Sequence, residues 1–384
     1  MIEKRLICFL LLSSFILIIF GNVSTAEKPE LPIVYVGGSG EGNYSSIQDA
    51  INQASPSTQI LVYPGTYNES IDLYKPIILK SVIPHQAKIW FQGKDDVIEI
   101  ATDECILEGF NISHLTGDGY TSVTVSSNHN SIKNNIFFEN PGRGLYFFNC
   151  EHNLVEQNHF FSDGIHIVGK KSQWNTHTIL NNSLKDKQIL FLKNVNDKTI
   201  TDKCFGQIIL ANCSQIIFNN CSVGKGDQGI LLGHCDNCTL QNNTVYQTTY
   251  GIHLSYTDNS TITSNTLTEN QYGLYVIHAN KNIVTSNMIH NQTRFGIWIC
   301  CNSKDNILYN NSFIDNNQSA YDLFSNKWHF NHRGNYWSDY TGTDKNNDGI
   351  GDSNYSILGE TAVDPYPIMN SSNSNKKQND NTPN

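Results

Sequence analysis

The sequence predicts an all-β protein, a single-stranded right-handed parallel β-helix of about 12 coils with an N-terminal capping helix and an irregular C-terminal cap. Three observations carry this. Segments beginning at Gln207, Gly229, Gly251, Gly273 and Gly296 recur 22, 22, 22 and 23 residues apart. Each alternates with period two, as a half-buried strand does. Like residues then fall at like positions of successive repeats, so each circuit of chain stacks on the one before.

The leader comes first. Lys4 and Arg5 precede the 15-residue stretch Leu6–Phe20, and Ser24-Thr25-Ala26 offers small residues for cleavage. Residues 1–26 read as a secretory signal; as an uncleaved anchor the apolar stretch falls short of the roughly 20 residues that span a bilayer. Residues 27–57 hold a strand and a capping helix. There Ser45-Ser46-Ile47-Gln48 resembles a capping box, and Ile47, Ala50, Ile51 and Ala54 share one helical face.

Residues 58–328 are the coils. Ile230, Ile252, Leu274 and Ile297 form one apolar column, and Leu232, Leu254, Val276 and Ile299 the next. Two more run Phe218, Leu240, Ile262, Val284, Leu308 and Val223, Val245, Leu267, Ile289, Phe313. Between these sit Asn243, Asn265, Asn287 and Asn311, with Cys221 in that place one repeat earlier. Rungs about 4.8 Å apart would stack these residues, and stacked Asn amides can satisfy one another at a bend. The stretches 170–178 and 193–204 look like insertions. A helical solenoid is excluded by the missing 3.6-residue period, and propeller blades are about twice too long.

Residues 329–369 abandon the repeat and form the C-terminal cap, and residues 370–384 are a polar tail without apolar content to bury. Strand edges left open at the ends of a coil stack invite aggregation, which is why both ends need covers.

Net charge is −10, from 25 Lys and Arg against 35 Asp and Glu. The basic residues are scattered, so the footprint of a nucleic-acid binder is missing. Cys8 lies in the leader; the other nine of the 10 cysteines follow no dense disulfide framework. Sequons such as Asn43, Asn111 and Asn237 would carry glycans in a host that N-glycosylates.

Val34-Tyr-Val-Gly-Gly, Ser46-Ile-Gln-Asp-Ala-Ile and Ile60-Leu-Val-Tyr-Pro-Gly-Thr-Tyr67 resemble the opening of the NosD-like β-helix proteins. Asn335-Tyr-Trp-Ser-Asp-Tyr and Asp364-Pro-Tyr-Pro367 resemble their closing segment. The resemblance implies the parallel β-helix, an extracytoplasmic place as in archaeal-type surface proteins or a periplasm, and copper, since the family's namesake is a periplasmic copper protein. It assigns no chemistry, because the same rungs serve polysaccharide lyases and hydrolases.

Four sets of residues are candidates. Asp344, Asn346, Asp348, Ile350 (through its carbonyl) and Asp352 alternate as calcium ligands do, with Gly349 at the turn, although Tyr355 stands where a bidentate Glu is usual. The alternative is a metal-free turn. His234, Cys235 and Cys238, with Cys213 one repeat away, form the compact set of soft copper ligands; packing or an inter-rung disulfide is the simpler reading. The column Tyr146, His166, Ile209, Leu231, His253, Tyr275 and Trp298 should point outward, its neighbours pointing in. His253, Tyr275 and Trp298 would then present rings to a polysaccharide or cell-envelope glycan, unless a loop or the Trp-rich end segment covers them. Asp236 and Asp258 share a bend position on adjacent rungs and are weak catalytic candidates; Asp is common at bends for backbone reasons.

Overall fold

In the computed structural model of the protein the described residues are 31–369 apart from 116–118, 141 and 325. The predicted leader and polar tail lie outside them. The chain is a right-handed parallel β-solenoid whose longest sheet has 14 strands, slightly more turns than the repeat count suggests.

Each coil lays down three short strands. The first is Thr58–Val62, Gly65–Asn68 and Ile71–Leu73, and each strand pairs in parallel with its successor one circuit on. The expected columns are real neighbours: Leu232 lies beside Leu254, Leu254 beside Val276, and Val276 beside Ile299.

The stack is not one continuous rod. Strand Ser183–Leu184 pairs antiparallel with Lys187–Lys193, the one reversed step in the 14-stranded sheet. Lys185 and Asp186, at φ 46° and 64°, supply the two left-handed residues that a type I′ hairpin requires. Opposed residues of an antiparallel pair share a face, so Leu184 and its partner Lys187 put Ile189 and Phe191 on the first stack's interior side. Parallel pairing carries that side to Ile209 and the other side to Ile208.

The cores divide accordingly. Ile189, Ile209, Ala211 and Leu231 join the first, while Ile208, Leu210, Ile230 and Leu232 belong to the second. The sheet runs on while the interior changes sides. Strands that reverse direction in an advancing sheet keep the right-handed crossover only in this way. Fully buried Ile209 and Leu231 thereby close the open end of the first stack, at about 1.5–3 kcal/mol each. Residues 193–204 are consequently no insertion: Asn196–Thr201 and Cys204–Phe205 are regular rungs of the second stack. Residues 170–178 do depart from the repeat, with Ser172–Asn175 a single helical turn that buries Trp174.

Asparagine ladders hold the bends. Asn243, Asn265 and Asn287 each donate Nδ2 to Oδ1 of the next, at 3.0, 3.0 and 2.9 Å, and Asn311 donates to Asn335 at 2.9 Å. The residue before each of the first three, Asn242, Ser264 and Ser286, is left-handed. The ladder bonds offset that strain. The ladder ends on Asp364, whose Oδ2 accepts from the Asn335 N–H at 2.6 Å and the Trp337 indole at 2.9 Å. Burial pushes the Asp364 carboxyl above its usual range.

At the other end helix Ile47–Gln53 buries Ile47, Ala50 and Ile51 on the first rung. Ser46 caps it by accepting from the Asp49 N–H, and Glu69 accepts from the N–H groups of Ile47 and Gln48.

Candidate binding ridge and junction cleft

The outward column behaves differently along its length. Ile209 and Leu231 face the first core, and His253 is only 3% exposed. His253 is therefore not an open ligand-binding residue: it packs edge-on against His166 of the first stack, ring centroids 5.8 Å apart. Gln228 ties the two together, its Nε2 lying 3.3 Å from His166 Nδ1 and its Oε1 3.1 Å from His253 Nδ1. Burial lowers the His253 imidazole to about 3 and pushes that of His166 down as well.

Beyond the junction the column opens. Tyr275 and Trp298 are half-buried, and Tyr321 continues them one coil on, stacked on Trp298 at 4.0 Å. A second column, Tyr250, Tyr272 and Phe295, flanks the first, with rings stacked at 5.3 and 6.0 Å. The columns interlock edge to face, Tyr275 against Tyr272 at 5.4 Å and Trp298 against Phe295 at 4.7 Å. The hydroxyls of Tyr250, Tyr272 and Tyr321 have no hydrogen-bond partner among the described residues. Nor does the end segment cover the ridge: Trp328 and Trp337 turn into the second core.

Where the stacks meet, the ridge runs into a cleft of about 200 Å³ lined by Gly119, Gly142, Arg143, Asp227, Thr249, Tyr250, Gln271 and Arg294. Asp227 Oδ2 lies 3.7 Å from His166 Nδ1 and accepts from Gln228 Nε2 at 3.0 Å. Burial raises the Asp227 carboxyl pKa, and that of fully buried Asp163 behind it rises further. The sequence spacing did not point to this set, because the fold draws it from six separate coils.

The remaining candidates take quieter places. Asp236 and Asp258 are adjacent at the bend, as expected. Their carboxylates accept from Asn237 and Asn259, and from the Asn280 N–H and side chain, respectively. In the loop 344–352, Asp344 accepts from the N–H groups of Asp348 and Gly349, and Asp348 from that of Ile350. Asn346 Nδ2 donates to Asp348, and Asp352 turns to Thr343 and Lys345. His234 lies outside the coil, stacked on Tyr256 with a ring nitrogen 3.1 Å from the Gly169 carbonyl, whereas Cys235 and Cys238 are buried within it. Among the described residues no group of three or more His, Cys, Asp or Glu is placed to hold a metal ion.

Residues 179–342 match the family model described as periplasmic copper-binding protein (NosD). The chain is 42% identical over 66 residues to a probable ABC transporter binding protein NosD of Stutzerimonas stutzeri, covering 17% of this chain and 15% of that protein. It is 44% identical over 62 residues to the Pseudomonas aeruginosa protein of the same description, covering 16% and 14%. The matched stretch is thus a small part of either relative. Both relatives are bacterial, and neither bears on an archaeal origin. Among solved structures, similar chains include the Dettilon tailspike protein (11% identity, TM-score 0.34, 74% of this chain and 68% of that one). Another is the GH136 lacto-N-biosidase from Eubacterium ramulus (10% identity, TM-score 0.34, 80% and 67%).

Proposed function

We propose that this NosD-like parallel β-helix protein works outside the cytoplasm, in a periplasm or at a cell surface, and binds glycans or other cell-envelope material without catalysis. The observation that carries the reading is the ridge: two interlocked aromatic columns, half-buried except at the buried Tyr272, where the hydroxyls of Tyr250, Tyr272 and Tyr321 find no partner among the described residues. Rings fixed by their neighbours lose little freedom on binding, and each combines apolar area with a polar handle. Rungs rise by about 4.8 Å, so an extended chain of sugar rings can follow the columns. A glycan array comparing wild type with Tyr275→Ala/Trp298→Ala tests this. Binding lost in a double variant that still melts cooperatively is expected; equal binding by both proteins, or none by either, removes the ridge.

A polysaccharide lyase or hydrolase is the second reading, resting on Asp236 and Asp258. Product release abolished by Asp236→Asn or Asp258→Asn would establish it. The bonds of both carboxylates to neighbouring Asn residues favour the bend role instead.

Copper, which the family description names, finds no group of three or more ligands placed to hold it among the described residues: the thiols of Cys213, Cys235 and Cys238 meet inside the coil, but His234 lies outside it on the Gly169 carbonyl. A calcium ion at loop 344–352 would stiffen the end cap, and a melting temperature unmoved by EDTA removes it.

A further inference from the structure

We propose that the junction cleft is a carboxylate-binding subsite, so that the saccharide on the ridge is an acidic one containing uronic acid; this rests on the glycan reading above. Arg143 comes from the first stack and Arg294 from the second, and both line the same cleft. Neither guanidinium makes an ion pair or a side-chain hydrogen bond with a described residue. Each lies instead over a ring, Arg143 at 4.8 Å from the Tyr146 centroid and Arg294 at 5.2 Å from that of Tyr272. A ring beneath a guanidinium holds its plane and leaves its edge donors free, the geometry that takes a carboxylate with two parallel bonds.

Among the described residues the one acid lining the cleft, Asp227, is buried and turned toward His166 and Gln228. Two cations thus face at most one anion among the described residues, in a protein whose net charge is −10. Thr249, Tyr250 and Gln271 add neutral polar groups for hydroxyls. The cleft, at about 200 Å³, is smaller than the roughly 300–1,000 Å³ of an enclosed small-molecule site. It suits one unit of a chain whose remainder lies along the ridge, and Tyr250 belongs to both.

The test is calorimetric titration with glucuronate, galacturonate and mannuronate hexasaccharides. Each is compared with the same chain after reduction of its carboxyls to alcohols, and with a sulfated neutral hexasaccharide. Wild type should bind at least one uronate chain about tenfold or more tighter than its reduced form. That preference should vanish in Arg143→Gln/Arg294→Gln and be restored only in part by the double Lys variant, which keeps the charge without the paired donors, while the reduced chain still binds in both. Arg294 is exposed, so Arg294→Gln alone guards against loss of folding and should halve the preference or more. Reduced-chain binding without a uronate preference, or a preference for sulfate alone, overturns the subsite and leaves the ridge standing. No binding of any chain to wild type overturns both.

Discussion

Gln207 bonds both backbone groups of Ile165 through its side-chain amide, Nε2 donating to the carbonyl at 2.6 Å and Oε1 accepting from the N–H at 3.0 Å. Strand Ile165–Val168 is the last of its sheet, so one side chain stands in for a missing neighbour. Gln207→Leu would leave both groups buried and unpaired. A loss of about 2–5 kcal/mol in urea unfolding is expected, and an unchanged midpoint would show that the edge finds other partners.

The hairpin is strained by its own residues. Lys185 and Asp186 carry side chains where φ is positive, whereas Asn-Gly adopts this turn readily. Lys185→Asn/Asp186→Gly should therefore stabilise by about 1 kcal/mol, read as a higher melting temperature.

Trp174 covers Gly233 so closely that an added Cβ would lie 2.1 Å from the indole. Gly233→Ala should cost about 1–3 kcal/mol in wild type. In a Trp174→Ala background it should cost little, and a double-mutant cycle measures the difference.

Acid should weaken the molecule through His177. Burial holds its imidazole at about 4, below the ordinary value near 6.5. The unfolded chain then binds a proton that the folded one refuses, so stability present above pH 6.5 is lost as pH falls toward 4. The loss is of order 3 kcal/mol. His177 Nδ1 accepts from the Asn153 N–H, an asparagine's place in the ladder. His177→Asn should flatten the slope of stability against pH over this window while keeping that bond.

Cys221 interrupts the main ladder. Its N–H already donates to Asn243 Oδ1 at 2.9 Å, and its sulfur lies 3.8 Å from the Ile200 carbonyl that an amide could reach. Cys221→Asn should extend the ladder by one rung and stabilise by about 1 kcal/mol, visible in the denaturation midpoint.

The coil was legible because every rung repeats the same demand: Leu232, Leu254, Val276 and Ile299 answer one environment four times. The hairpin was not, since Lys-Asp carries none of the glycine or asparagine that marks such turns. A signal for the change of interior did exist. Ile208-Ile209-Leu210 and Ile230-Leu231-Leu232 are apolar without a break, as strands buried on both faces are, whereas Ile252-His253-Leu254 and later rungs place a ring in the middle. Reading all these strands as alternating hid the difference. Arg143, Asp227, Tyr250 and Arg294 had no such signal, because no spacing connects residues that meet only across the junction.

The reversal at Lys185 and Asp186 also separates what can vary from what cannot. Between Phe295 and the cap each rung stacks on its immediate neighbours, so one whole circuit can be duplicated or excised there and the amide files will rejoin. The ridge would lengthen or shorten by a ring pair while the junction kept its shape. Reach along a polymer and choice of its charged unit are thus encoded in different stretches of chain, free to evolve apart.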